Sequence, residues 1–96
     1  MKELLSKILM ICCESFEVSK EDVLSDCRKT ELVYTRISFV KIVKQLYDLP
    51  NEKIGEIINR THNDVHYLNN KKEINKYFKL IFNQIQNKLK DSSISS

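Results

Sequence analysis

Two short amphipathic segments meet at Asn59 and Arg60, and this break restricts the folds open to the chain more than any other stretch. The first segment has apolar residues at helical spacing, and the second opens with the Thr-x-x-Asp pattern of a capping box. We therefore predict a helix-turn-helix, with Glu52–Ile58 as its first helix and Thr61–Asn70 as its second. Such a motif puts the first turn of its second helix into the major groove of DNA.

The fold class follows from how few turn residues the chain contains. A sequence of 96 residues with one Gly and one Pro lacks the regular turn signals of a sheet-rich fold. We predict an all-α protein, a compact bundle of about six helices with a long C-terminal helix from about Ile74 to Leu89. Residues 1–90 are predicted to form one domain, and Asp91–Ser96 to form a disordered tail.

Apolar spacing and capping patterns predict the N-terminal elements. A first helix is predicted over Lys2–Phe16. Ser19 and Asp22 resemble a capping box, which predicts a short second helix that stops near Asp26. The polar stretch Cys27–Thr35 loses periodicity and is predicted as a connection.

A third helix is predicted to begin at Thr35 as its N-cap and to end around Asp48–Pro50, because the residue before a proline avoids helical angles. Asn51 is predicted to cap the next helix. The last two helices are predicted to turn apolar residues inward: Val65, Leu68 and, less clearly, Tyr67, then Ile74, Tyr77, Phe78, Ile81, Phe82, Ile85 and Leu89. The side chains predicted to stay outside are His62, Asn63, His66 and Asn70. The Tyr77/Phe78/Phe82 cluster is interpreted as core or as a dimer seam.

Charge is distributed unevenly along the chain. Residues 1–35 hold five Lys/Arg and seven Asp/Glu, whereas residues 36–96, which contain the helix-turn-helix, hold eleven and six. A positive half of this kind favours contact with phosphates, although a solvated lysine-rich surface has the same composition.

Other function classes find little support. Cys12, Cys13 and Cys27 lack metal-ligand spacing, and His62 and His66 have no third ligand, so neither metal nor cofactor is expected. There is no phosphate-binding Gly-rich loop and no nucleophile with a base, so the chain is not expected to be an enzyme. Without a signal or membrane-spanning segment, it is expected to be cytoplasmic, or nucleoid-associated when bound to DNA.

Three stretches carry a family resemblance. They are Asp22-Val-Leu-Ser25 followed by Arg28, then Arg36, and Ile54-Gly55 with Arg60-x-His62 and Val65. Together they resemble the C-terminal DNA-binding domain of the bacterial replication initiator DnaA, a helical domain of the Trp-repressor-like superfamily. The register holds from Ile8 to Lys72 with one residue deleted at Asn59, where the family usually has two glycines.

The resemblance implies roles for individual residues. Arg28 matches a basic position that enters the minor groove, and Arg36 and Lys44 match positions that hold phosphates. Arg60 and His62 match the start of the recognition helix. The full set predicted to contact DNA is Arg28, Lys29, Arg36, Lys44, Arg60, Thr61, His62, Asn63, Asp64 and His66.

Departures from the family pattern argue against its usual DNA site. Cys27 replaces one arginine of the family's basic pair, and Tyr34-Thr35 replaces the Arg-Pro of its Arg-Pro-Arg. Asn63 and Asp64 replace two threonines. Asn63 could pair with adenine, and Asp64 could either accept from cytosine N4 or cap its own helix.

We therefore predict double-stranded DNA binding by a stand-alone module in replication or transcription control, with a phage or mobile element as one source. The alternative is a protein-interaction module that kept the fold and lost DNA contact, which the missing arginines and Asp64 motivate. A protein partner would then bind the exposed turn or the C-terminal helix, and a homodimer would use the C-terminal helix.

Overall fold

The computed structural model describes residues 2–71 and 75–91. These residues form six helices and no strand, which confirms the all-α prediction. The helices are α1 (Lys2–Ser15), α2 (Lys20–Leu24), α3 (Thr30–Tyr47), α4 (Asn51–Ile58), α5 (His62–Asn69) and α6 (Lys76–Asp91). The predicted tail after Asp91, together with Lys72 and Ile74, lies outside the described residues.

Helix α3 is the centre of the fold, because it contacts each of the other five described helices. Its buried apolar side chains are Leu32, Ile37, Phe39, Val40, Ile42 and Val43. Helices α1 and α6 also pack on one another, while α4 packs against α5. The helix-turn-helix therefore rests on one long helix that also supports the rest of the core.

The predicted start of α3 is wrong by six positions, because the N-cap is Lys29 and not Thr35. The helix begins at Thr30, and Thr35 lies inside it, buried, with its Oγ1 donating to the Glu31 carbonyl at 2.7 Å. Thr35 and Arg36 occupy the buried face, where apolar residues are normally expected. Two buried polar residues in succession obscure the helical spacing in the sequence.

The other boundaries lie close to prediction. Ser19 accepts a hydrogen bond from the Asp22 N–H at 3.1 Å, as the capping pattern predicts. Helix α3 ends at Tyr47, and Asp48 adopts the left-handed conformation with φ 48° and ψ 46°. Asn51 was predicted as an N-cap, which is wrong by one position, since Pro50 takes that place and Asn51 is the first helical residue.

An aromatic cluster joins α6 to α1 and α3. The Phe78 ring stacks on Phe82 with centroids 5.5 Å apart, and it lies 6.2 Å from the Phe16 ring. The prediction that Tyr77 points inward is wrong, because the residue is 47% exposed and lies at the border of the cluster, 6.2 Å from the Phe16 ring and 6.3 Å from the Tyr34 ring. Among the helices described, none is long and apolar enough to cross a membrane.

Candidate nucleic-acid interface

The turn between α4 and α5 depends on a close backbone approach at Gly55. Asn59 ends α4 in the left-handed conformation, with φ 56° and ψ 49°, and the Arg60 N–H donates to the Gly55 carbonyl at 2.8 Å. A Cβ atom on Gly55 would lie 2.3 Å from the Arg60 carbonyl oxygen. Only glycine fits here, since any side chain would force the two backbone segments apart.

The first turn of α5 faces solvent. Thr61 caps the helix, and its Oγ1 accepts from the Asp64 N–H at 3.2 Å, as predicted. Thr61, His62, Asn63 and Asp64 are all exposed, whereas Val65 and Leu68 are buried. The helix therefore presents its amino end outward, where unpaired N–H groups can bind an anion.

The opposite end of α5 is held by α3. Lys41 Nζ donates to the Asn69 carbonyl at 3.0 Å. A cation at the last carbonyls of a helix also interacts favourably with the helix dipole. Helix α5 is thus attached to the central helix by its buried side chains and by this contact at its carboxyl end.

Arg36 is buried and acts inside the protein. Only 3% of its surface is exposed. Its Nε donates to the Val23 carbonyl at 2.9 Å, and its Nη2 donates to the carbonyls of Asp22 at 3.2 Å and Ser25 at 3.0 Å. These carbonyls lie at the end of α2, where a helix runs out of its own N–H donors. Arg36 adds to the two bonds that Asp22 already accepts from Ser25, and it also binds Val23 and Ser25.

Two residues of the helix-turn-helix bind the same segment of chain. Arg60 Nη2 donates to the Ser25 carbonyl at 2.5 Å, and Asn59 Nδ2 donates to the Leu24 carbonyl at 3.1 Å. Ser25 thus accepts from both Arg36 and Arg60. We call this set, consisting of Leu24, Ser25, Arg36, Asn59 and Arg60, the carbonyl clamp.

The carbonyl clamp has an electrostatic consequence for Arg36. Burial is the main cause that lowers the pKa of its guanidinium, and repulsion from the neighbouring Arg60 adds to it. The backbone carbonyls of the clamp therefore stabilise two like charges that are close together.

A cleft of about 600 Å³ lies between the α2–α3 loop and α5. We call it the basic cleft, because its walls carry three arginines against two aspartates. Its lining residues are Asp26, Arg28, Val33, Arg36, Asn59, Arg60, Thr61, Asp64, Tyr67 and Leu68. The carbonyl clamp joins its two sides, so the loop with Arg28 and the start of α5 form one surface.

The remaining predicted residues lie elsewhere. Lys29 lines a separate cleft of about 420 Å³ with Glu17, Asp22 and Glu31. Lys44 is half-buried in the last turn of α3 and does not line the basic cleft. The structure therefore gathers Arg28, Arg36, Arg60, Thr61 and Asp64, and separates Lys29 and Lys44 from them.

The two histidines are exposed on α5. The Nε2 of His66 lies 3.0 Å from Asn70 Nδ2, and His62 is at the exposed start of the helix. Across residues 2–71 and 75–91, no group of three His, Cys, Asp or Glu side chains could hold a metal ion.

Sequence reasoning missed three residues of this surface. Ser25 and Asn59 act through contacts between segments about 35 positions apart, for which no local pattern exists. Tyr67 was a candidate for the core, yet it is 61% exposed and lines the basic cleft. Its spacing of three from Asp64 is a usable signal, because residues three apart share a helix face.

Comparison with known proteins identifies the family. The model of the bacterial DnaA protein helix-turn-helix matches residues 5–72, which include most of α1, all of α2 to α5, the carbonyl clamp and the basic cleft. The chromosomal replication initiator protein DnaA of Mycoplasma genitalium is 38% identical over 53 residues, which make up 55% of this chain and 12% of that protein. The chain belongs to the family of bacterial DnaA helix-turn-helix domains.

Proposed function

We propose that this chain binds double-stranded DNA, with the first turn of α5 in the major groove. The observation that carries the proposal is the carbonyl clamp, which joins the loop bearing Arg28 to the exposed start of α5. Two elements held in this way can enter neighbouring grooves of one duplex without separate ordering on binding. Preorganisation of this kind improves affinity.

Individual residues then take different roles. Arg28, exposed on its loop, enters the minor groove, as the resemblance implies. Asn63 and Asp64 meet base edges, since amides suit adenine and carboxylates suit cytosine N4. Arg36 has too little exposed surface to bind phosphate directly, so we assign it the role of positioning the loop. Lys44, His62 and His66 remain predicted contacts.

The biological process proposed is control at replication or transcription sites on DNA. The Mycoplasma genitalium relative is named a chromosomal replication initiator, which supports the replication role. Because the match covers 12% of that protein, the proposal is confined to recognition of a DNA site.

Selection from a random duplex library, followed by salt titration of the selected sequence, tests the proposal. We expect an enriched motif and a fall in log affinity that is linear in log salt, with a slope of about −0.9 per phosphate contacted. Arg28→Ala should weaken binding. Asn63→Ala should alter preference at one base pair by about 1–3 kcal/mol.

Lys7→Ala is the matched control. Lys7 is an exposed cation on α1, which does not line the basic cleft, so its loss should leave affinity and salt slope unchanged. If no motif is enriched and no binding depends on salt, the proposal fails and the protein-interaction alternative takes its place.

A further inference from the structure

We infer that Tyr67 and Lys71 make an additional contact to one sugar–phosphate strand, which runs through the basic cleft. The inference rests on the proposed function and extends it to a part of α5 beyond its first turn. It assigns an anionic backbone, rather than a base, as the ligand of this pair.

Tyr67 has the exposure of a contact residue rather than of a core residue. Its side chain is 61% exposed, although it lies on the same helix as the buried Val65 and Leu68. It lines the basic cleft together with Arg28 and Asp64. Its hydroxyl has no hydrogen-bond partner within residues 2–71 and 75–91, and a phenolic hydroxyl can donate to a phosphate oxygen.

Lys71 is ordered by the same ring. Its Nζ lies 4.9 Å from the centroid of the Tyr67 ring, a cation–π contact between residues four apart. Its backbone N–H donates to the Leu68 carbonyl at 3.4 Å, which holds the end of α5. No carboxylate in the described part of the chain pairs with its ammonium. The ring thus holds this cation next to Tyr67, which lines the cleft, although Lys71 itself does not line it.

The path of the DNA through the cleft follows from the proposed docking. If α5 occupies the major groove and Arg28 the adjacent minor groove, the sugar–phosphate strand that separates the two grooves must pass between α5 and Arg28. The space between them is the basic cleft, and Tyr67 stands in its wall. Both polar groups of the pair can donate hydrogen bonds, and phosphate oxygens accept them.

Binding measurements with two variants and two matched controls test this inference on the selected duplex. Tyr67→Phe removes only the hydroxyl, and Lys71→Ala removes the cation. Tyr77→Phe and Lys79→Ala make the same changes at exposed positions of α6. Circular dichroism and urea unfolding check that each variant is folded.

We expect Tyr67→Phe to weaken binding about tenfold on every duplex, as for loss of one hydrogen bond to a charged group. Lys71→Ala should reduce the salt slope by about 0.9. Replacing single phosphates by neutral methylphosphonates should reveal one linkage that weakens the wild type and has no further effect on Lys71→Ala. The controls should behave as wild type.

Each other outcome overturns a defined claim. If the wild type binds the duplex and both variants match it in affinity and slope, the contact does not exist, while the proposed function stands. If Tyr67→Phe changes base preference, Tyr67 reads a base and the phosphate assignment is wrong. If the wild type binds no duplex, the proposed function itself fails.

Discussion

Arg36 illustrates how a single buried cation organises the candidate interface. Its guanidinium donates three hydrogen bonds at the end of α2, and all three acceptors are backbone carbonyls rather than carboxylates. A buried charge is tolerated when its hydrogen bonds are satisfied in this way. Because the accepting carbonyls precede Arg28, the buried arginine supports the exposed one.

Arg36→Ala should therefore lower stability as well as DNA affinity. Removing the guanidinium leaves the buried Val23 carbonyl without its side-chain donor and takes one donor each from Asp22 and Ser25. We expect a loss of about 1–3 kcal/mol in the free energy of unfolding by urea. Arg28→Ala, at an exposed position, should unfold like the wild type and lose affinity alone. Wild-type stability in Arg36→Ala would contradict the positioning role.

Asp64 has a separate electrostatic effect on binding. Its backbone N–H makes the capping bond to Thr61, and the residue is exposed at the wall of the basic cleft. Asp64→Asn keeps the backbone bond and removes a charge that repels phosphate.

We expect Asp64→Asn to raise affinity for unselected duplexes about two- to fivefold at low salt, the size of an exposed charge interaction. Stability should fall by no more than about 1 kcal/mol, from the lost interaction with the helix dipole. Competition binding against mixed-sequence DNA measures the first effect. An unchanged or weaker affinity would contradict it.

At the scale of elements, α4 and α5 depend on each other and on α3. Each has eight residues, which is too short for a stable isolated helix. Their buried side chains, Ile54, Ile58, Val65 and Leu68, supply the packing. Asn59 stands where the resemblance implies two glycines, and its side-chain bond to Leu24 ties the shortened turn to α2.

Gly55→Ala tests whether this turn sets the position of α5. The added methyl would meet the Arg60 carbonyl, so the turn must open, and we expect a loss of about 1–3 kcal/mol in unfolding free energy. DNA affinity should fall with it. Glu56→Ala, at an exposed position of the same helix, is the control and should unfold like the wild type. Equal stability of the two variants would show that the turn has room for a side chain.

At the scale of the whole molecule, the reactivity of the three cysteines measures how tightly the core is packed, because two of them are buried and one is exposed. Cys12 and Cys13 are buried in α1, and Cys27 is exposed on the loop beside the basic cleft. Burial raises the pKa of the Cys12 and Cys13 thiols, which lowers their reactive thiolate fraction.

Alkylation of the native protein at neutral pH should therefore modify Cys27 rapidly and leave Cys12 and Cys13 protected. In urea all three should react. Mass spectrometry of the timed reaction measures the number and position of modified thiols. Comparable rates for all three in the native protein would contradict the packing of α1.

The helical class, most helix ends and the helix-turn-helix could be predicted from the sequence alone, because capping and apolar spacing act within one or two turns. Thr61 and Ser19 begin their helices as predicted for this reason. Tertiary structure decided the burial of Arg36 and the joining of the α2–α3 loop to α5. The Arg36 and Arg60 side chains bind carbonyls of residues 11 to 35 positions away, so the neighbouring residues do not encode these contacts. The exposure of Tyr67 depends on which face of α5 the core covers, and the spacing from Asp64 indicates that face only in part.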